Sequence, residues 1–422
     1  MNKKMGIFCT GLVVVAGALF ILKDDESGNK MNENAKKELV MNHDVKDEST
    51  KSFKLADEKG VLYISTDADM TKFSNDGKGY AAFFDKDGSI TGYQTTGLED
   101  GRVVAGSEKV IVQDATDVHF INGDTKSDVN VEQRKENNYG IYSGYIEKTN
   151  TYFSITNTHD DVESLPLTVI FGEGKRMPED QLPKNISVET AGVVDDKVLL
   201  VAHNKKTKQY ELLQLTFKND KAVTKKVTDL SLNEDSLYLS YSDIIEDEQS
   251  YHFVMSEMPK DTSDFFWSDT VLFSVNKKTN ELTAEVITEQ PDEDSDVQAT
   301  PYNLNHSLYH REGALYYFDG RGVVYERKKG ASKFKKKFAI KNPLLTHDLD
   351  GDEWSNEQQY FDGDSLFVLR YVKDGTVEYN LERYSLLTGE LEDTTILDGL
   401  EKLMNLSEND DVRIYELKIF KK

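Results

Sequence analysis

The segment LFVLRYVKDGTVEYNLERYSLLTGE (366–390) shows how this chain folds. Its two runs LFVLRY and TVEYNLERY are rich in aliphatic, β-branched and aromatic residues, a composition that favours strands. Asp374-Gly375 separates the runs, and an Asp-Gly pair tolerates the positive φ that a tight hairpin needs. The segment therefore predicts an antiparallel hairpin followed by a turn.

Short runs of the same kind occur along the chain from residue 53 onward, bounded by Gly, Asp, Asn or Lys clusters. The clearest are VLYIS from Val61, YAAFFD from Tyr80, VLLVAH from Val198, YELLQLTF from Tyr210, VLFSV from Val271, LYYFD from Leu315, LFVLRY from Leu366 and RIYELKIF from Arg413. Asp87-Gly88 and Asp319-Gly320 predict two further hairpins. One short helix is expected in ILDGLEKLMNLS from Ile396. The patterns together predict an all-β domain.

Three turns between these runs share one spacing. They are Asn204-Lys-Lys-Thr207-Lys208, Asn276-Lys-Lys-Thr279-Asn280 and Ser385-Leu-Leu-Thr388-Gly389. Each follows one predicted strand and precedes another, which indicates a degenerate repeat.

On these turns the chain resembles bacterial β-propellers of the quinoprotein-like and WD-like kind, whose blades often carry Asp-x-x-Thr-Gly followed by Lys or Glu between two strands. Ser385 to Glu390 matches at Thr388, Gly389 and Glu390, with Ser in place of Asp. The other two turns lack the Gly. The tryptophans that dock quinoprotein repeats have no counterpart, since the chain holds only Trp267 and Trp354. The resemblance implies an architecture rather than an activity.

A β-propeller of seven blades is the fold that we predict. Roughly 26 candidate strands follow residue 53, and about four strands form each blade. Each small sheet packs on its neighbours, so a polar chain can fold without one thick core. Six or eight blades and two stacked β-sandwiches are the alternatives.

The N-terminal part predicts a membrane anchor. Met5 to Leu22 carries no charge and, as a helix, would span ~27 Å, close to the thickness of a hydrocarbon core. Lysines precede this segment and acidic residues follow Lys23, so the positive-inside bias places the N-terminus in the cytoplasm. We therefore expect a cytoplasmic stub (1–4), a transmembrane signal anchor (5–22), a polar tether (23–52) and an extracytoplasmic propeller (53–422).

Two other interpretations of this segment are open. Ala16, Gly17 and Ala18 allow signal-peptide cleavage within it, which would give a secreted protein. Lipidation of Cys9 is disfavoured because Phe8 stands where a lipobox has a small residue.

The composition of the chain limits the classes of partner and of metal site that we expect. The chain has 422 residues, with 51 Lys and Arg against 76 Asp and Glu, and a formal charge of −25. Such a charge repels nucleic acid, which we exclude as a partner. Cys9 is the only cysteine, so the part after the anchor can form neither a disulfide nor a zinc-thiolate site.

An acidic turn is the candidate metal site. Asp348, Asp350 and Asp352 alternate as carboxylates do in calcium loops, which the turn resembles. Glu353 replaces the turn glycine and Gln359 replaces the closing Glu of those loops. We therefore expect a solvated turn, no resident cofactor and at most weak calcium binding.

A basic segment is the first candidate binding surface. Seven cations occur within the 11 residues from Arg327 to Lys337. Lys333, Lys335, Lys336 and Lys337 could contact anionic wall polymers or lipid head groups. The alternative is an exposed hairpin with Gly330 in its turn, whose lysines protect a sheet edge.

Three aromatic residues form the second candidate surface. Phe265, Phe266 and Trp267 follow Pro259 in a long connection, where they could stack on a sugar ring or fill a pocket of a protein partner. The alternative is a hydrophobic plug. His306 and His310 are predicted to lie ~13 Å apart on one strand, too far for a shared metal.

Catalytic residues cannot be assigned from the sequence. No dinucleotide fingerprint, P-loop or nucleophile elbow is present. We therefore expect a non-catalytic binding or scaffold module on the outer face of a bacterial membrane, with a protein or envelope polymer as partner. The alternative is an envelope glycan-acting enzyme with two carboxylates ~5–10 Å apart, one of raised pKa.

Overall fold

The computed structural model describes residues 53–66, 79–105, 109–131, 138–158, 166–174, 176–233, 236–259, 269–289, 300–341, 356–374, 376–404 and 412–420. These residues form seven antiparallel sheets, the blades of a β-propeller. The predicted fold class and blade number are confirmed.

In each blade, neighbouring strands pair antiparallel, and they are ordered from the central channel to the rim of the disc. The strands of blades 1 to 3 are β1 (Glu58–Thr66), β2 (Gly79–Asp85), β3 (Ile90–Thr95), β4 (Val103–Ala105), β5 (Lys109–Gln113), β6 (Asp117–Asn122), β7 (Thr125–Asn130), β8 (Asn138–Ile146), β9 (Thr151–Thr158), β10 (Thr168–Gly172) and β11 (Glu179–Gln181). Those of blades 4 and 5 are β12 (Ile186–Val194), β13 (Lys197–Asn204), β14 (Gln209–Lys218), β15 (Lys221–Leu230), β16 (Ser236–Ser240), β17 (Ile245–Glu246), β18 (Ser250–Pro259), β19 (Asp269–Asn276) and β20 (Leu282–Thr288). Those of blades 6 and 7 are β21 (Leu308–Arg311), β22 (Ala314–Phe318), β23 (Val323–Arg327), β24 (Lys335–Ala339), β25 (Gln358–Asp362), β26 (Ser365–Asp374), β27 (Thr376–Ser385) and β28 (Leu391–Ile396).

The last strand closes the ring. β29 (Val412–Ile419) pairs antiparallel with β1 and becomes the innermost strand of blade 1. Gly60 lies opposite Ile419 and Thr66 opposite Val412. Blade 1 therefore combines both ends of the propeller, so the ring cannot open without breaking a sheet.

Apolar side chains fill the spaces between neighbouring blades. Between blades 4 and 5, Leu199 and Val201 share one buried cluster with Phe253 and Phe273. Between blades 7 and 1, the equivalent cluster contains Leu369 and Ile64. The fold thus distributes its core over the blade interfaces.

The turns alternate between two faces of the disc. Connections from first to second and from third to fourth strands lie on one face, which we call the lower face; the other connections lie on the upper face. The chain enters the propeller at the lower face, where the Leu55 N–H donates to Gly123 O (3.0 Å) in the β6–β7 turn. β29 also ends on this face, beside the start of β1.

The predicted strands and the short helix are confirmed. All eight quoted runs contribute to strands, and α1 (Leu400–Met404) lies within the predicted helical segment. Among the described residues, the other helical segments are two 3₁₀ turns, Leu55–Asp57 and Glu147–Thr149. Among helices of the described residues, none has the length and apolar character needed to cross a membrane. The predicted anchor (5–22) and tether (23–52) lie outside the described residues.

The Asp-Gly hairpins are confirmed as connections, with one difference. Gly88 adopts the expected positive φ of 84° between β2 and β3. In the turn between β22 and β23 the residue with positive φ is Gly322 (72°) rather than Gly320. The reason is that the Asp319 carboxylate accepts the N–H groups of Arg321 and Val323, which lengthens the turn. Gly375 lies outside the described residues.

The three similar turns share local geometry but not position in the blade. Asn204 Oδ1 accepts the N–H of Thr207 (3.3 Å), and Asn276 Oδ1 accepts that of Thr279 (3.0 Å). Ser385 Oγ plays the same part in the third turn. The Asn204 turn joins the second and third strands of its blade, whereas the other two join the third and fourth. The predicted repeat therefore holds for the Asn276 and Ser385 turns but not for the Asn204 turn, because a side chain that binds its own turn needs no particular place in the sheet.

Candidate functional site

Charged residues from several blades meet in the central channel. Arg102 precedes β4, and its guanidinium donates to Asp243 Oδ1 (2.8 Å), between β16 and β17. It also donates to Asn305 Oδ1 (2.5 Å) and Ile141 O (3.1 Å). Its Cζ atom lies 4.6 Å from the centre of the Tyr142 ring. Arg102 thus joins four blades through one planar group.

A second charged cluster lies on the closing strand. Glu416 of β29 is fully buried, and its Oε1 lies within hydrogen-bonding distance of His306 Nε2 and 3.4 Å from Lys418 Nζ. Burial favours the neutral acid, but His306 and Lys418 outweigh it and lower the pKa of Glu416 to about 2. Glu416 is therefore a carboxylate at every physiological pH and cannot serve as a general acid.

Buried amides connect blades 6 and 7 with the closing strand. Asn303 Nδ2 donates to Gln358 Oε1 (2.5 Å), and the Asn303 N–H donates to Gln359 Oε1 (2.6 Å). Gln358 in turn donates to Ile414 O (2.8 Å) on β29. These bonds fix the backbone that carries Glu416 and Lys418.

The channel contains a small cavity of about 150 Å³. Arg102, Tyr142, Asp243 and Lys418 are among its lining residues. Sites for small organic ligands usually measure roughly 300–1,000 Å³, so this cavity suits water or a very small molecule. The charged groups around it are already engaged with one another.

A larger groove of about 560 Å³ lies between blades 4 and 5. Asp229 on β15 belongs to one wall, and Tyr238, Glu257 and Phe273 of blade 5 form much of the other. Glu257 Oε1 accepts hydrogen bonds from Ser236 Oγ (2.9 Å) and the Tyr238 hydroxyl (3.1 Å). The groove has the size of a ligand site and a carboxylate held in a fixed orientation.

The carboxyl of Glu189, by contrast, has a pKa raised toward neutrality. Glu189 lies at a bulge of β12, and burial raises its pKa to about 7. Ser187 Oγ donates to it (3.3 Å), and Lys205 partly offsets the rise. Glu189 lines neither of the two cavities described above. At neutral pH about half of the Glu189 side chains would carry a proton, as a general acid must, but neither cavity offers a place for substrate beside it.

One hydrogen-bonded chain has the order of a hydrolase triad. His252 Nδ1 lies 2.8 Å from Ser274 Oγ, and His252 Nε2 lies 3.0 Å from Asp247 Oδ2. Burial lowers the pKa of His252, which keeps it neutral. Ser274 is only 7% exposed, within the blade, so its hydroxyl cannot reach a substrate carbonyl. This hydrogen-bonded chain of side chains is therefore structural, and it connects the β17–β18 turn to β19.

The family is evident from comparison with known proteins. The model of the family described as YycP, β-propeller domain, matches residues 54–420. The chain belongs to this family. A relative from Bacillus subtilis (strain 168), the uncharacterized protein YycP, is 25% identical over 346 residues, which cover 80% of this chain and 81% of that protein.

Solved structures resemble this YycP-family propeller in fold alone. A hypothetical selenium-binding protein from Sulfolobus tokodaii aligns with a TM-score of 0.50 at 11% identity, covering 86% of this chain and 94% of that one. The periplasmic gluconolactonase of Pseudomonas aeruginosa aligns with a TM-score of 0.48 at 8% identity, covering 86% and 99%.

The predicted basic surface of this YycP-family chain lies on the β23–β24 hairpin of blade 6. Lys333, Lys335 and Lys336 are exposed. Lys337 instead turns inward, with its Nζ 2.7 Å from Glu326 Oε1. Gly330 occupies the turn with a φ of 76°, and β24 is the outermost strand of its sheet. The structure thus matches the predicted exposed hairpin at a sheet edge.

The other predicted site residues lie outside the described residues. These are Phe265, Phe266 and Trp267 of the aromatic surface and Asp348, Asp350 and Asp352 of the acidic turn. Within the parts of the chain that the structure describes, no group of three or more His, Cys, Asp or Glu side chains is placed to hold a metal ion.

The channel residues were not identified from the sequence. The prediction that His306 and His310 share one strand is wrong, because β21 begins at Leu308 and His306 belongs to the connection before it. That position lets its ring reach Glu416. The available signal was Glu416 itself, a lone carboxylate within the apolar run RIYELKIF.

Proposed function

We propose that the protein is a non-catalytic binding or scaffold module, displayed by its N-terminal segment on the outer face of a bacterial membrane. One observation supports the non-catalytic part most directly. Propellers often place their chemistry in the central channel, yet here Arg102 is paired with Asp243 and Glu416 with His306 and Lys418. A carboxyl whose pKa is about 2 cannot donate a proton to a leaving group.

Two surfaces support a binding role. The groove between blades 4 and 5 has ligand-sized volume and a carboxylate, Glu257, held by two hydroxyl groups. The hairpin with Lys333, Lys335 and Lys336 presents positive charge on an otherwise acidic protein. The charge pattern around Met5 to Leu22 supports display outside the membrane.

An envelope glycan-acting enzyme is the second candidate. The pKa of Glu189, raised to about 7 by burial, is the observation that favours it. A glycosidase also needs a second carboxylate ~5–10 Å away across a bound sugar.

Incubation of the purified full-length protein with isolated cell-wall glycan separates the two candidates. We expect the protein to release no reducing ends above a protein-free blank. Release of reducing ends that Glu189→Gln abolishes, while the exposed-residue control Glu248→Gln retains it, would replace the proposal with the enzyme.

A further inference from the structure

We propose that the lower face of the propeller, at blades 6 and 7, docks on an anionic lipid bilayer. The surface comprises five exposed lysines of the β23–β24 hairpin, namely Lys328, Lys329, Lys333, Lys335 and Lys336, together with Leu387. We call it the basic edge. The inference rests on the proposed membrane anchoring and adds an orientation to it.

The hairpin divides its cations into two groups. Arg327 and Lys337 point inward and pair with Glu285 (2.9 Å) and Glu326 (2.7 Å). These ion pairs hold the hairpin against β20 and within its own sheet. Arg327 and Lys337 therefore stabilise the fold, whereas the lysines of the basic edge are available for another role.

The outward lysines are only loosely engaged by protein carboxylates. The side chains of Lys328 and Lys329 are 78% and 73% exposed, and their ion pairs with Glu326 and Glu248 are long, at 4.0 and 3.9 Å. Exposed pairs at such distances contribute little and are screened by salt. The charge of these lysines thus remains accessible to a polyanion.

Contacts between turns place the basic edge on the face where the chain enters. Lys329 reaches Glu248 in the β17–β18 turn. β16 and β17 both pair with β18 and together form the innermost strand of blade 5, so this turn is a first-to-second-strand connection of the lower face. The chain arrives from its N-terminal segment on the same face, where Leu55 bonds to Gly123. The predicted tether (23–52) is 30 residues long, so the face at which the chain enters is the one held nearest to the predicted anchor.

An exposed apolar residue distinguishes a bilayer from other polyanions. Leu387 is 70% exposed in the β27–β28 turn of blade 7. This turn abuts β24, because a Cβ built at Gly389 would lie 2.6 Å from the Phe338 ring. Cations beside an apolar side chain suit the head-group region of a membrane, whereas a wall polymer offers no apolar layer. An anionic lipid surface is therefore the occupant to which we commit.

Charge selects this orientation over others. The chain carries a formal charge of −25, so an anionic membrane repels most of its surface. The basic edge gathers five exposed lysines next to an exposed leucine, which makes it the surface that we assign to the bilayer. Docking should therefore need anionic lipid and should weaken as salt screens the charges.

The test uses full-length protein reconstituted in vesicles and one fluorescent label. Cys9→Ser removes the native thiol, and Ser332→Cys places a dye at the exposed hairpin turn. Lys206→Cys, in an exposed turn of the upper face, is the matched label position. Quenching by spin-labelled lipid head groups reports how close each dye lies to the bilayer.

We expect strong quenching at position 332 in vesicles of phosphatidylglycerol, little quenching at 206, and loss of the difference in roughly 0.5 M salt. Lys333→Glu/Lys335→Glu/Lys336→Glu should reduce the quenching at 332 to the level at 206. Lys218→Glu/Lys221→Glu/Lys225→Glu changes the equivalent hairpin of blade 4 by the same charge and should leave it intact.

Three results would overturn the inference. They are equal quenching at 332 and 206, equal quenching in phosphatidylcholine vesicles, and displacement of the labelled hairpin from the vesicles by low concentrations of a soluble phosphate polymer, which would indicate a wall polymer. Flotation of the vesicles separates the two proposals. Protein that floats with an unquenched dye contradicts the docking alone, whereas protein that does not float contradicts the anchoring as well.

Discussion

Glu416 is ionised at a position where burial alone would keep it neutral. His306 and Lys418 surround it, and both His306 and the amides that fix β29 come from other blades. At the scale of single residues, the channel thus holds its charges in pairs, Arg102 with Asp243 and Glu416 with His306 and Lys418. Such a set costs stability when one member is removed, because the others stay buried without a partner.

Glu416→Gln should lower the free energy of unfolding at pH 7 by about 3 kcal/mol. The folded-state pKa is about 2, below the ordinary value of 4.5, so the carboxylate stabilises the fold fully above about 4.5 and loses this effect as the pH falls toward 2. Urea denaturation at pH 7 and pH 3 measures both effects, and the difference between wild type and variant should shrink at pH 3. Glu312→Gln, a highly exposed control, should change stability by less than ~0.5 kcal/mol. A pH-independent difference would show that the Glu416 charge is not the cause.

These residues also mark the limit of prediction from sequence. Hydrophobic patterns identify Leu417 and Ile414 as core positions, because they lie in one apolar run. Nothing local links Arg102 with Asp243, or His306 with Glu416, since each pair meets only after the ring has closed. A single sequence therefore predicts the blades but not the channel.

At the scale of elements, the turns show how strictly backbone geometry limits residue choice. The fifth residue of the three similar turns has a left-handed φ of 58° at Lys208, 59° at Asn280 and 75° at Gly389. Gly389 and Asn280 have residue types that this conformation favours, whereas Lys208 does not. Position 389 also has no room for a side chain, because the Phe338 ring lies against it. The sequence pattern identified these turns correctly, since their hydrogen bonds are local.

Lys208→Gly should raise the free energy of unfolding by about 1 kcal/mol, because a left-handed lysine is strained and glycine is not. Gly389→Ala should act in the opposite direction and cost more, since it adds both strain and a clash with Phe338. Thermal unfolding of the two variants measures these changes. A destabilised Lys208→Gly variant would mean that the flexibility of glycine in the unfolded chain outweighs the relieved strain.

At the scale of the whole molecule, the chain is a ring closed by its own last strand. β29 completes blade 1, so both ends of the propeller lie on the lower face. Seven blades were predictable because each blade repeats a local pattern of short strands and turns. The closing pair was not, since β1 and β29 come from opposite ends of the domain. The N-terminal segment enters the propeller at this lower face. We propose that this segment holds the propeller at the outer side of the membrane.

Thiol labelling in intact cells tests that claim most directly. Cys9 is the only native cysteine, so a Cys9→Ser/Lys206→Cys variant carries one thiol, in an exposed turn between β13 and β14. A membrane-impermeant maleimide should label this variant in intact cells as fully as after lysis, while Cys9→Ser alone should stay unlabelled. Labelling that appears only after lysis would place the propeller inside the cell and contradict the account.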